Sequence, residues 1–166
     1  GAAAVVLDAR SHLASAEGVL AVHNLCERTP RALDRLLVPR CAYTDPELTQ
    51  VGLTEAQAPP DARVSRCSFA ALGKSLCDEE PDGFVKLIAD RKTERLLGAT
   101  MVGAQASSLI HLAVVAMQHG LTAKQLAQTV TAHPTLPEAV TEAAAQIYGE
   151  ALFTTVAARA PRPAAA

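Results

Sequence analysis

The spacing of apolar residues changes along this chain. Over residues 5–27, Leu13, Ala16, Leu20, Ala21 and Leu25 recur at helical spacing, which predicts an amphipathic helix. Thr29-Pro30 ends it, and residues 28–39 read as a connector. The spacing then shortens. Residues 41–44 and 48–53 are strand-like, with a turn at Asp45-Pro46 between them. Thr54-Glu55-Ala56-Gln57 has the form of a capping box and predicts a short helix, stopped by Pro59-Pro60. Three more strands are expected: 63–69 alternates loosely, 83–89 alternates well, and 95–102 is an almost unbroken apolar run. The polar stretch 90–94 between the last two is a hairpin connection. Helical spacing then returns. Leu109, Ile110, Ala113, Val114 and Met117 make one stripe of a helix over 105–119, with Gly120 at its end. Thr122 to Gln125 opens another helix, and residues 137–152 predict the last. Strands first and helices afterwards, without βαβ alternation, predict an α+β fold: an antiparallel sheet with helices on one side, preceded by an N-terminal helix.

Composition narrows the function classes. Of 166 residues, 49% are hydrophobic and only 3% aromatic, so the core must come from Leu, Val and Ala on closely packed elements. A net charge of −2 argues against a nucleic-acid binder, which would carry a basic face. No apolar run approaches the roughly 20 residues of a membrane span. No secretory signal is visible, and a start on Gly rather than Met is expected of a processed or cut polypeptide. Cys26, Cys41, Cys67 and Cys77 form no C-x-x-C and no zinc pattern. They read as free thiols in a reducing intracellular compartment, with mitochondrion or plastid both compatible; a Cys67–Cys77 disulfide is the alternative. His111 and His119, eight residues apart, are too distant for a shared metal, and His12 and His23 read as surface or interface residues. No metal site is expected.

One segment has the makings of chemistry. In Ala132-His133-Pro134-Thr135-Leu136-Pro137-Glu138, the proline biases His133 toward an extended backbone, and Thr135 can cap a new helix that tolerates Pro137 in its first turn. That sets an imidazole at a helix mouth with a carboxylate one turn away. A carboxylate on one ring nitrogen fixes the tautomer and leaves the other nitrogen free to move protons. The same spacing, Thr135-x-x-Glu138, is also a capping box in which Glu138 only satisfies a backbone N–H. Spacing leaves both readings open.

Three stretches together resemble the C-terminal interface, or dimerisation, domain of the flavin-dependent pyridine nucleotide–disulfide oxidoreductases, dihydrolipoamide dehydrogenases in particular. They are Pro39-Arg40-Cys41-Ala42-Tyr43-Thr44-Asp45-Pro46-Glu47-Leu48 continuing to Glu55, Gly83-Phe84-Val85-Lys86-Leu87 with Leu97-Gly98-Ala99, and the His133–Glu138 segment. Gly103-Ala104-Gln105-Ala106-Ser107-Ser108 and the following helix fit as well, so the resemblance covers roughly residues 38–150. It implies residues 1–37 as a helix and connector left from a flavin domain, 38–152 as the interface domain, and 153–166 as a flexible tail. It also implies a two-fold dimer in which His133, paired with Glu138, reaches the other subunit's flavin and redox disulfide and takes a proton from a dithiol. FAD and NAD(P) are implied for a full-length member.

The sequence departs from the family in ways that bear on function. It has neither the Cys-x-x-x-x-Cys motif nor a Gly-x-Gly-x-x-Gly fingerprint, and its length is about a third of a full member. By itself it is expected to bind no cofactor. The stretch 11–22 resembles the helix after the family's second flavin-contact motif, but Ala2-Ala3 stand where that motif's Gly-Asp pair falls, and Asp8 is misplaced. Thr131 replaces a frequent second histidine, and Ser107-Ser108 a Ser-Glu or Gly-Glu pair. These losses favour a structural or assembly subunit that uses the old dimer surface, as a homodimer or in a larger complex. The alternative is a C-terminal part of an active disulfide reductase that donates His133 to its partner. A third reading, a small enzyme pairing His133 with its own Cys41 or Cys77, has less to support it.

Overall fold

The computed structural model describes residues 11–27 and 29–153. The chain divides into two units, residues 1–38 and 39–166. In the first, helix α1 spans Ser11–Cys26. Asp34 caps a single 3₁₀ turn at Arg35–Leu37 by accepting the Leu36 N–H, and Arg35 pairs with Glu17 at 2.9 Å. The apolar stripe expected on this helix is largely uncovered: Leu13 is buried and Leu20 half-buried, while Ala16, Ala21 and Leu25 are exposed. The expected flavin-contact positions Ala2, Ala3 and Asp8 lie outside the described residues, as does the tail beyond Phe153.

The second unit is the α+β fold that the pattern predicts. Strands β1 (Arg40–Ala42), β2 (Leu48–Gly52), β3 (Arg63–Ser68), β4 (Phe84–Ala89) and β5 (Leu96–Val102) form one antiparallel sheet in the order β1-β2-β5-β4-β3. Alternation along the strands puts Thr49, Val51, Ser65, Cys67, Val85, Leu87, Ala99 and Met101 on one buried face. Helices α3 (Ala106–Gln118) and α5 (Glu138–Gln146) cover that face, α3 over β2 and β5, α5 over β3 and β4. Alanines 106, 113, 116, 139, 143 and 144 are fully buried or nearly so. Small side chains let the helices lie close to the sheet, so alanine does here what aromatics do in bulkier cores.

Side chains lock the elements together. Ser65 donates its hydroxyl to the Ala143 carbonyl at 2.6 Å, tying β3 to α5. Glu47 accepts the Ser107 N–H at 2.8 Å and so caps α3 from 60 residues away, where Gln105, the residue before the helix, makes no side-chain cap. Between β4 and β5, Asp90 accepts the N–H and hydroxyl of Thr93 and the Lys92 N–H, and these bonds hold its carboxyl below the usual range. Helix α4 (Ala123–Ala127) opens with a complete capping box between Thr122 and Gln125, as its sequence predicts.

Three local expectations differ. Between Thr54 and Gln57 only half of the capping box forms: Gln57 Oε1 accepts the Thr54 N–H and hydroxyl, while the Gln57 N–H goes to the Thr54 carbonyl, and Pro59-Pro60 leaves no room to propagate a helix beyond one turn. Helix α5 ends at Gln146 rather than near Leu152: Gly149 adopts φ +71° and the Glu150 N–H returns to Ala145, a turn that reverses the chain. A short helix α2 (Gly73–Cys77), preceded by a 3₁₀ turn at Phe69–Ala71, lies where no element was expected.

Candidate functional site

The loop before α5 carries the site. The His133–Pro134 peptide is cis, and the Thr135 hydroxyl donates to the Ala132 carbonyl at 2.6 Å, curling the chain over itself. Glu138 opens α5 and divides its carboxylate between two tasks. One oxygen accepts the Thr135 N–H at 2.7 Å, and the other meets His133 Nδ1 at 2.8 Å. One residue therefore makes both contacts, one oxygen each: the bond to the Thr135 N–H and the pairing with His133. The capping box is only half formed, since the Thr135 hydroxyl turns back to Ala132.

Burial separates the two partners. The Glu138 side chain is 7% exposed, that of His133 63%. An ionised carboxylate only accepts hydrogen bonds, so Nδ1 carries the proton and the lone pair of the neutral ring sits on Nε2. Nε2 makes no hydrogen bond among the described residues. The result is an exposed imidazole with a buried carboxylate behind it.

Its surroundings come from distant parts of the unit. A side-chain carbon placed on Gly73, in α2, would lie 3.8 Å from His133 Cε1. The Phe153 ring stacks on His133 with centroids 6.1 Å apart and planes 23° apart. Beside the dyad is an open cavity of about 290 Å³, whose walls include Thr129, Thr131, Thr141 and Glu142. The hydroxyls of Thr131 and Thr141 lie 3.5 Å apart. No cysteine lines this cavity. The cysteines form no disulfide, and burial, reinforced by the charge of Glu142, pushes the Cys67 thiol up to about 12. Among the described residues no group of His, Cys, Asp or Glu could hold a metal ion, and no helix is long and apolar enough to cross a membrane.

His133 and Glu138 are thus brought together as their spacing suggests; His111 and His119, in the same unit, do not line the cavity beside them. Sequence reasoning missed Gly73, Glu142 and Phe153. Only Glu142 left a signal: it lies four residues after Glu138 and so on the same helix face.

Fold and dyad define an interface domain of flavoprotein disulfide reductases. The family model described as "Pyridine nucleotide-disulphide oxidoreductase, dimerisation domain" matches residues 38–144, and the chain belongs to that family. Its relatives include dihydrolipoyl dehydrogenases. The Bacillus subtilis protein is 41% identical over 145 residues, 86% of this chain and 31% of its own length. That of Rhizobium etli is 43% identical over 146 residues, 86% of this chain and 30% of its own. Among solved structures, LpdA from Mycobacterium tuberculosis superimposes with a TM-score of 0.79 at 27% identity, covering 85% of this chain and 31% of that one. The HOCl-induced flavoprotein disulfide reductase RclA from Escherichia coli gives 0.76 at 25% identity, covering 82% and 32%. The chain spans about a third of the length of these proteins. A dimerisation domain is by nature a protein–protein interface.

Proposed function

We propose that this domain pairs with a second copy and lends His133 as a base to a dithiol–disulfide exchange site whose flavin and redox disulfide lie outside the described residues. The single observation that carries this is the second oxygen of Glu138. A cap needs only one oxygen, bonded to the Thr135 N–H; the other orients an imidazole that is otherwise exposed.

The chemistry follows from the geometry. Nε2 takes the proton of a thiol, the imidazolium that forms is stabilised by the Glu138 carboxylate, and the thiolate left behind attacks one sulfur of a disulfide while the S–S bond breaks. In the family the oxidising power comes from FAD and NAD(P). The described residues do not fit a flavin: they offer no dinucleotide cradle, and their cysteines form no disulfide. The role assigned to this chain ends at the proton.

A structural subunit remains the second reading, favoured by Ala2-Ala3 at the place of the Gly-Asp pair. Intact mass and a flavin absorbance scan of the protein from its source separate the two. Yellow material oxidising a dithiol supports donation of His133; a colourless chain of this size inside a larger assembly overturns it.

A further inference from the structure

Glu142 is a buried acid that the proposed chemistry does not use. Its residue is 8% exposed, and one carboxylate oxygen accepts two backbone N–H groups, those of Leu152 and Phe153, each at 2.8 Å. A carboxylate removed from water is costly unless hydrogen bonds replace the solvent, and here the hydrogen bonds come from the backbone of the returning chain. That segment arrives because the turn at Gly149 sends the chain back along the helix. Its last described ring, Phe153, then lies on His133. Glu138 and Glu142, one turn apart on α5, thus both bear on one imidazole: Glu138 directly, Glu142 through Phe153.

We propose that Glu142 is a positioning residue, whose carboxylate clamps the backbone of Leu152 and Phe153 and so holds the Phe153 ring against His133. The clamp narrows the ring's freedom to swing about its bond to Glu138 and closes one flank of the cavity beside it. This rests on His133 being the working base, but the clamp itself is read without turnover.

The test is NMR on the chain and three variants, following backbone amide exchange and the His133 Cε1–H resonance. Phe153→Leu removes the ring current and should move that resonance. Glu142→Ala should move it to the same place and speed exchange of the Leu152 and Phe153 amides by roughly tenfold or more, the scale of a hydrogen bond to a charged group. Glu142→Gln keeps the accepting oxygen without its charge, so it should retain the ring-current shift while exchange rises a few-fold, by about the difference between charged and neutral acceptors. A His133 resonance indifferent to Phe153→Leu or to Glu142→Ala overturns the proposal. If Glu142→Ala does not fold, equal amide exchange in Glu142→Gln and the parent overturns it. Failure of His133 as a base would leave these readings intact, so the two ideas fall separately.

Discussion

Glu138 shows how a sequence motif can be two things at once. Thr135-x-x-Glu138 is a cap, and His133-to-Glu138 is a dyad, because a carboxylate has two oxygens and the loop brings one partner to each. The pair was legible in the chain; the stacking of Phe153 and the proximity of Gly73 were not, because both depend on backbone turns far from position 133. Cys67 makes the opposite point. Its burial yields an inert thiol, so iodoacetamide at about pH 8 should label Cys26 and Cys77, which are exposed, and spare Cys67 until the chain unfolds. The sign of its pH dependence follows. With its pKa raised from 9.0 to about 12 on folding, the thiol stays protonated in the folded chain while the unfolded one ionises. Its contribution to stability is complete below pH 9.0 and is lost as pH climbs toward about 12. Peptide mapping after labelling checks the first statement; urea midpoints of parent and Cys67→Ala across that window check the second.

At the scale of elements, what local spacing controls was readable: the β4–β5 hairpin, the stripe of α3, the capping box of α4. What long-range contacts control was not. Helix α2 begins at a glycine and lasts five residues, too short to show a period. The cap of α3 is Glu47, invisible as a cap because it acts across 60 residues. Strand order was equally hidden, since β2 pairs with β5 across the whole β3–β4 excursion. That pairing depends on close backbone approach. Gly98 sits opposite Gly52, and a side-chain carbon at position 98 would collide with the Leu53 carbonyl, a backbone atom that cannot step aside. Gly98→Ala should therefore destabilise the unit by about 1–3 kcal/mol, the usual scale of overpacking, seen as a lower urea midpoint. An unchanged midpoint would mean that the β2–β5 edge is looser than the structure has it.

At the scale of the whole molecule, the chain carries the dimerisation domain of the pyridine nucleotide–disulphide oxidoreductase family. Its inner faces are spent on one another: α3 and α5 bury their alanines against the sheet, while α3 turns Leu112 and Val115 outward, 42% and 53% exposed. What remains unspent is the His133 imidazole, held by Glu138 and open to solvent. The proposed role requires that imidazole to move a proton. In a yellow protein carrying this domain, His133→Gln measured by dithiol turnover should lose about 10²-fold or more, the range of a general base, with flavin content and dimer retained. A loss of less than tenfold in material that still holds both would contradict it.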